Sequence, residues 1–337
     1  MTWLGLDIGG ANIKVADGHG YARSVAFPLW QRPNELRLKL QDILKEAPSA
    51  ASLAVTMTGE LADCFATKAE GVHAICDAVD AASSARIVKI YLCDGQLVDT
   101  TTARDQPLLA AASNWHALAT FASRFVDSDS GLLIDLGSTT CDIIPLSQSG
   151  PQTQGRTDPE RLLAGELVYT GVERSPLCAI LKYARWREED CPVAQEVFAT
   201  SLDAYLMANL LPEDPQNCET ADGRPRTKRF AHARLARSIC ADTTMFSLED
   251  AAWLADAVYN AQVTKLLASA QRVVARMPRQ PKTLLLSGQG EFLALDVAAR
   301  LQLTGTIVSL TEHLSPAVSR SACAHGLAVL AAERVTA

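Results

Sequence analysis

The chain has 337 residues, 48% of them hydrophobic and 20% charged, with a net charge of −7. That length fits about two domains with a real core, and the composition is that of a globular protein rather than a disordered one. The acidic balance argues against a general nucleic-acid or anionic-membrane surface.

The first residues, Met1 to Asp7, lack the basic and long apolar regions of a signal peptide. No apolar run reaches the ~20 residues of a membrane span. The expectation is a soluble, cytoplasmic protein. The nine cysteines are scattered and none forms a Cys-x-x-Cys pair, so they read as reduced and mostly buried. Cys323 and His325, two apart in a helical region, do not share a face as helical zinc ligands do.

Trp3 to Asp7 reads as a buried strand, Gly9-Gly10 as a turn, and Ile13 to Ala16 and Arg23 to Pro28 as two further strands of a meander. Glu35 to Lys45 has leucines at 36, 40 and 44, a helical spacing. A strand over 52–57, a helix over 71–82, a strand over 87–92 and one long helix over 107–125 follow. At Gly131 the opening pattern returns, with strands over 132–136 and 141–146 around the polar turn 137–140. Residues Trp3–Lys14 and Gly131–Asp142 match at an offset of 128 residues, Asp7 falling on Asp135. So long a period indicates two homologous domains rather than a solenoid.

The next hundred residues differ. Helices are predicted over 159–168, 176–187 and 193–211, a polar loop over 212–229, and helices over 230–241 and 248–275. A strand over 282–287 runs into Gly288-Gln289-Gly290 and a helix over 291–301. A strand over 307–310 and a helix over 316–334 close the chain.

Each Asp-x-Gly turn is suited to an anion. A glycine turn lets the backbone approach phosphate, and its N–H groups bind the oxygens alongside polar side chains. Gly9, Gly10, Asn12 and Lys14 in the first, and Gly137, Ser138, Thr139 and Thr140 in the second, are the candidate phosphate ligands. Asp7 and Asp135, at the ends of matched strands, are candidate catalytic residues and Mg²⁺ ligands, because that ion prefers oxygen and keeps several waters. The third turn, Ser287, Gly288, Gln289, Gly290 and Glu291, is placed to meet a nucleotide or second ligand at a helix N-terminus.

This triplet of turns resembles the actin-like ATPase superfamily of sugar kinases, actin and heat-shock chaperone ATPases. The resemblance implies an α/β, ribonuclease H-like fold of two domains, each with a five-stranded sheet, and an interdomain cleft. It puts residues 1–114 and about 316–337 in one domain. The other takes 115–315, with a helical insertion over about 158–280. The closing helix is expected to return to the first domain.

A closer resemblance rests on Val55–Asp63, Ala69–Val72, Ile134–Leu146, Gly165–Val172, Thr220–Pro225 and Ser287–Glu291. These segments are similar to the hydantoinase/oxoprolinase-related family tied to tetrahydromethanopterin one-carbon metabolism. Its archaeal members are methanofuran synthases. They join an aminomethylfuran-methyl diphosphate to the phenol of γ-glutamyltyramine and release diphosphate. Bacterial relatives belong to methylotrophs and imply the matching step toward methylofuran.

The resemblance therefore implies a transferase whose partners are a small-molecule diphosphate donor and a phenolic acceptor, a tyrosine, tyramine or glutamylated form. A homodimer is left open. Glu60, in a loop after a strand, is the first candidate base, ahead of Asp63 and Asp94. Glu166, Tyr169, Arg174 and Arg226 are acceptor-pocket candidates. The basic stretch of Arg224, Arg226, Lys228, Arg229, Arg234 and Arg237 reads either as an anion site or as a solvated face. Trp115, Trp186 and Trp253 read as packing residues.

Ala11 stands where many of the kinases have Thr or Ser, and Gly-Gln-Gly replaces their consecutive glycines. No Asp stands in the Gly-Asp context of such kinases. These departures weigh against ATP, while Mg²⁺ remains expected. An ATP- and Mg²⁺-dependent small-molecule kinase is the second reading, and a non-catalytic nucleotide-binding protein the third.

Overall fold

The computed structural model of the protein describes residues 2–127 and 130–335. The first half runs β1 (Trp3–Ile8), β2 (Asn12–Ala16), β3 (Ala22–Ala26), α1 (Leu36–Glu46), β4 (Ser52–Met57), α2 (Lys68–Ser83), β5 (Ile87–Tyr91), β6 (Leu97–Val98), α3 (Thr100–Asp105), α4 (Pro107–Ala110) and α5 (Asn114–Ala122). The second opens with β7 (Gly131–Leu136), β8 (Cys141–Ser147) and β9 (Gly150–Pro151). It continues with α6 (Asp158–Ala164), β10 (Leu167–Val168), α7 (Leu177–Ile180), β11 (Tyr183–Trp186), β12 (Glu189–Pro192), α8 (Ser201–Met207), α9 (Lys228–Arg237) and α10 (Leu248–Val274). β13 (Thr283–Ser287), α11 (Glu291–Arg300), β14 (Thr306–Ser309), α12 (Leu310–Leu314), α13 (Pro316–Ser319) and α14 (Ala322–Val335) complete it.

The first sheet has the order β3-β2-β1-β4-β5-β6 and the second β10-β8-β7-β13-β14, with β9 also on β8. The repeat is thus carried by topology. In each sheet an antiparallel hairpin (β1–β2, β7–β8) is followed by two parallel neighbours (β4 and β5, β13 and β14). Each sheet has six strands rather than five. The extra one is β6 in the first, and in the second arises because β9 and β10 pair with opposite ends of β8.

Both sheets are covered on two faces, so their central strands are buried throughout and mostly apolar. Leu4, Leu6, Leu53 and Val55 pack under α1 and α2. Leu132, Ile134, Leu284 and Leu286 pack under the helices of the second half. Between the sheets, α5 is shared: Ala117 and Phe121 join the Trp3 and Ala54 side, while Trp115 and Leu118 join the Leu133 and Leu285 side. The closing helix α14 lies on β1 and against α5.

Several predicted helices are shorter or absent. The helix expected over 107–125 breaks between Ala110 and Asn114, where Ala112 takes a left-handed φ of 49°. That expected over 159–168 ends at Ala164, because Gly165 caps it in the left-handed region before β10. Over 176–187 only one turn is helical, and the rest is the β11–β12 hairpin. Over 193–211 the helix is only α8, started by a capping box of Thr200 and Asp203 and followed by Asn209 at φ 59°. The last helix is split, with α13 ending before α14 begins.

The nine cysteines are free thiols, four of them buried, three half-buried and two exposed. Trp115 is buried, but Trp253 is 56% exposed on α10 and carries Arg185 at 5.9 Å.

The β11–β12 turn is held by Arg187 and Glu188 with φ of 50° and 67°. Two consecutive left-handed residues are the geometry that Asn-Gly adopts with least strain. The double substitution Arg187→Asn with Glu188→Gly is expected to stabilise the protein by about 1 kcal/mol, read as a higher midpoint in urea unfolding.

Candidate active site

The two repeated hairpins place their turns alike. In β1–β2 the N–H of Gly9 donates to the carbonyl of Asn12 at 2.9 Å, and in β7–β8 that of Gly137 donates to Thr140 at 2.9 Å. The outward carbonyls of both turns are claimed by neighbouring backbone. Gly10 and Ala11 accept from Leu29 and Phe27, at 2.8 and 2.9 Å. Gly137 accepts from Val172 and Ser138 from both Glu173 and Arg174, at 3.1, 3.0 and 2.9 Å.

Among the described residues, no group accepts from the N–H of Gly10, Ala11, Ser138 or Thr139. Successive unclaimed N–H donors in a turn are groups that an anion can accept from, and each hairpin offers two. The sequence segment Gly165–Val172 gains its reason here. Gly171 lies so close to the backbone of Ser138 and Thr139 that a side chain has no room.

Asp7 stands opposite Lys14 across the first hairpin, and Asp135 opposite Asp142 across the second. Lys14 Nζ lies 3.8 Å from Asp7 Oδ2, and Thr56 Oγ1 donates to Asp7 Oδ1 at 3.4 Å. Burial raises the Asp7 carboxyl above its usual range, against the pull of Lys14 and Thr56. Burial pushes Asp135 up to about 6, and Asp142 adds to this while Ser287 and Lys14 oppose it. For Lys14 burial works the other way, but Asp7, Cys323 and Asp135 outweigh it and hold the ammonium charged. Lys14 therefore lies within electrostatic reach of both aspartates.

Asp142 meets a cation that the sequence reading missed. Arg161 of α6 is buried, donates to Asp142 Oδ1 at 2.7 Å and to the carbonyl of Glu166 at 3.2 Å, and lies 4.0 Å from the Trp115 ring. One signal was present: in the 128-residue repeat, an acid, Asp142, replaces Lys14 and has to find a partner.

Glu60 follows β4. The N–H groups of Thr58 and Gly59 both donate to the carbonyl of Ile8, at 2.9 and 3.0 Å, which folds this loop onto the end of β1. Glu60 is buried, with Oε1 3.8 Å from Lys68 Nζ and Oε2 lacking a hydrogen-bond partner. Burial pushes its carboxyl up to about 7, against its own backbone N–H and Lys68. Lys68 in turn pairs with Asp158 at the start of α6, at 2.8 Å. Asp63 and Asp94 are exposed, and Asp94 accepts from the N–H and side chain of Gln96 in its own turn.

The third turn packs against the second sheet. Ser287 is register partner to Asp135. Gly288, at φ 90°, leaves no room for a side chain beside the carbonyl of Leu136. The N–H of Gly290 donates to that same carbonyl at 2.9 Å, and Gln289 is exposed. Glu291 is engaged internally, accepting from Ser309 Oγ at 2.8 Å and Thr311 Oγ1 at 2.7 Å.

The acceptor-pocket candidates separate. Tyr169 and Arg174 line one cavity of about 250 Å³ beside Thr139, together with Thr170, Ser175, Gln262 and Lys265. Glu166 is buried, and its carboxylate accepts from the N–H groups of Gln154 and Gly155 at 2.7 and 3.1 Å. Arg226 pairs with Glu173 at 2.7 Å.

The basic stretch is no open patch. Arg234 is buried between Asp203 and Asp222, at 2.7 and 2.9 Å, and Asp222 also faces Arg224 and Arg237 at 3.9 and 3.6 Å. The Thr220–Pro225 motif is thus a clip that ties its loop to α9.

Among the described residues, no three His, Cys, Asp or Glu side chains converge to hold a metal ion unaided. Asp7 and Asp135, from equivalent strands, offer carboxylate oxygens, the donor type that Mg²⁺ prefers.

A sequence model of the family described as hydantoinase/oxoprolinase matches residues 52–334. The chain belongs to this family. It is 32% identical over 297 residues to the (4-{4-[2-(gamma-L-glutamylamino)ethyl]phenoxymethyl}furan-2-yl)methanamine synthase of Methanocaldococcus jannaschii, covering 87% of each chain. The protein of the same name from Methanococcus vannielii is 28% identical over 214 residues, 63% of this chain and 95% of that one. Among solved structures, the type IV pilus biogenesis complex of PilM and PilN superposes with a TM-score of 0.50 at 13% identity, over 97% of each chain, which bears on the fold alone. The fold of this family member is the two-domain actin-like one. No helix among the described residues is long and apolar enough to cross a membrane.

Arg161→Met is expected to leave Asp142 buried without a partner and to destabilise the protein by about 3–5 kcal/mol. Adding Asp142→Asn should recover part of that loss. Urea unfolding at pH 8 of both variants and the wild type checks it.

Proposed function

We propose that the protein is a transferase of methanofuran- or methylofuran-type cofactor synthesis. It joins an aminomethylfuran-methyl diphosphate to the phenol of a tyrosine- or tyramine-derived acceptor and releases diphosphate. The observation that carries this reading is the pair of turns with four unclaimed N–H groups beside Lys14. The family and the 32% identical synthase support it.

The chemistry follows from the parts. The bond between the furfuryl carbon and the diphosphate oxygen breaks, the electron pair leaving with diphosphate. The furan ring oxygen stabilises the carbocation that develops. The N–H groups of Gly10, Ala11, Ser138 and Thr139, with Lys14, bind the departing anion where its charge grows. A Mg²⁺ ion, held by Asp7 and Asp135, would supply further charge neutralisation of the diphosphate when bound.

The phenol oxygen then forms the new bond to the furfuryl carbon. A free phenol ionises near a pKa of about 10, so a base is needed at neutral pH. Glu60 is that base in this reading, because a carboxyl near 7 accepts a proton more readily than an ordinary one. The Lys68–Asp158 pair keeps it beside the second half.

The test is to incubate the protein and Mg²⁺ with the furan-methyl diphosphate and a panel of phenols, without ATP. Ether is read by mass spectrometry and diphosphate by a phosphate assay. Ether and diphosphate are expected in equal amounts, and both are lost in Asp7→Ala and Asp135→Ala. The rate should rise with pH through about 7 and then level, since the carboxylate form of Glu60 is the active one. Glu60→Gln should remove that limb and lower kcat by about 10²–10⁴-fold. Acceptor-dependent ATP hydrolysis with no ether would replace this reading with the kinase.

A further inference from the structure

This inference rests on the transferase reading and concerns how the acceptor is chosen. The cavity beside the second turn is lined by Thr139 and by Ala261, Gln262 and Lys265 of α10. Its floor is fixed. Buried Gln262 donates to Thr170 Oγ1 at 2.7 Å and to the carbonyl of Gly171 at 3.0 Å, and accepts from the Tyr205 hydroxyl. Both amide hydrogens and one acceptor position are directed into the scaffold, which holds α10 to the segment that cradles the turn.

Two cations line the cavity, Arg174 and Lys265. Among the described residues neither has a carboxylate partner. This contrasts with Arg161, Arg226 and Arg234, each of which is matched to an acid. Arg174 lies 5.4 Å from the Trp30 ring of the first half, which supports its guanidinium without neutralising it. The lining also includes apolar Pro176, Ala179 and Ile180. Unmatched cations beside apolar wall suit an amphipathic group with a carboxylate.

The Methanocaldococcus jannaschii synthase is named for a product that carries a γ-L-glutamylamino group, an amino acid with a free carboxylate. We propose that this cavity is the specificity site for a carboxylate on the acceptor's tail. Arg174 and Lys265 pair with it, and the phenol reaches past Thr139 toward the anion-binding turns. Two acceptors offer that chemistry: tyrosine, with its carboxylate near the ring, and γ-glutamyltyramine, with it farther out. Tyramine lacks it.

Steady-state kinetics with tyramine, tyrosine and γ-glutamyltyramine test this in the wild type and in Lys265→Met, which keeps an apolar stem and removes the charge. The wild type should favour one carboxylate-bearing acceptor over tyramine, by about tenfold or more in KM. In Lys265→Met that preference should collapse toward unity through KM rather than kcat. Which acid is favoured tells how deep the carboxylate sits. Calorimetric titration of the same three phenols without donor gives a readout independent of turnover, and inorganic diphosphate is titrated beside them.

No preference for a carboxylate, or an equal loss for all three acceptors in the variant, overturns the proposal. So does a Lys265→Met variant that loses diphosphate binding instead, which would assign the cations to the donor. If no acceptor turns over but Lys265→Met still weakens binding of an acidic phenol alone, the transferase reading fails and this site stands. If turnover occurs and acceptor binding ignores the charge, the reverse holds.

Discussion

Carboxyl groups stand at matching positions of the two hairpins, and cations from neighbouring positions hold them. Asp7 and Asp135 arrive from equivalent strands, Asp142 stands opposite Asp135, and Glu291 opens the helix behind the third turn. Burial alone raises the aspartates toward their neutral forms, and Asp142 and Glu291 reinforce this at Asp135. Such a concentration of acid in a low-dielectric space survives only with matched cations and donors. Lys14 meets the first hairpin, Arg161 the second, and Ser309 and Thr311 engage Glu291.

The asymmetry between the hairpins has consequences for function. One register position carries Lys14 in the first and Asp142 in the second. The first therefore presents a positive group beside its unclaimed N–H donors. The second has its acid drawn to α6, leaving the turn at Ser138 and Thr139 to act through its backbone. Helix α6 is then a strut between halves. Arg161 reaches Asp142, while Asp158, three residues earlier and on the same face, holds Lys68 beside Glu60. Glu60 and the second hairpin are coupled through one short helix.

Much of this was legible in the chain. Apolar runs gave the central strands, and the 128-residue offset between Asp7 and Asp135 gave the repeat, since backbone turns leave local signatures. The failures were equally physical. Leu177, Ile180, Leu181 and Ala184 follow a helical spacing, yet Ala184 is buried on a strand. The turn at Arg187 and Glu188 has none of the residues that announce one.

The basic stretch read as an anion site or a solvated face because one of Arg234's two acids, Asp203, lies 31 residues before it. Glu166 and Tyr169 are three apart in sequence but divide between a buried structural carboxylate and an exposed cavity wall. Lys265 lay on an amphipathic helix with no local sign that its charge was unmatched. Partnerships across tens of residues are properties of the folded state and leave no periodic trace.

The central claim is that the paired turns and Lys14 form a diphosphate site. Isothermal titration of inorganic diphosphate with Mg²⁺ into the wild type and Lys14→Met tests it most directly, with circular dichroism confirming that the variant is folded. The account predicts saturable binding to the wild type, weakened about tenfold or more when the ammonium is removed. Binding of equal strength in a folded Lys14→Met, or none in the wild type, would contradict it.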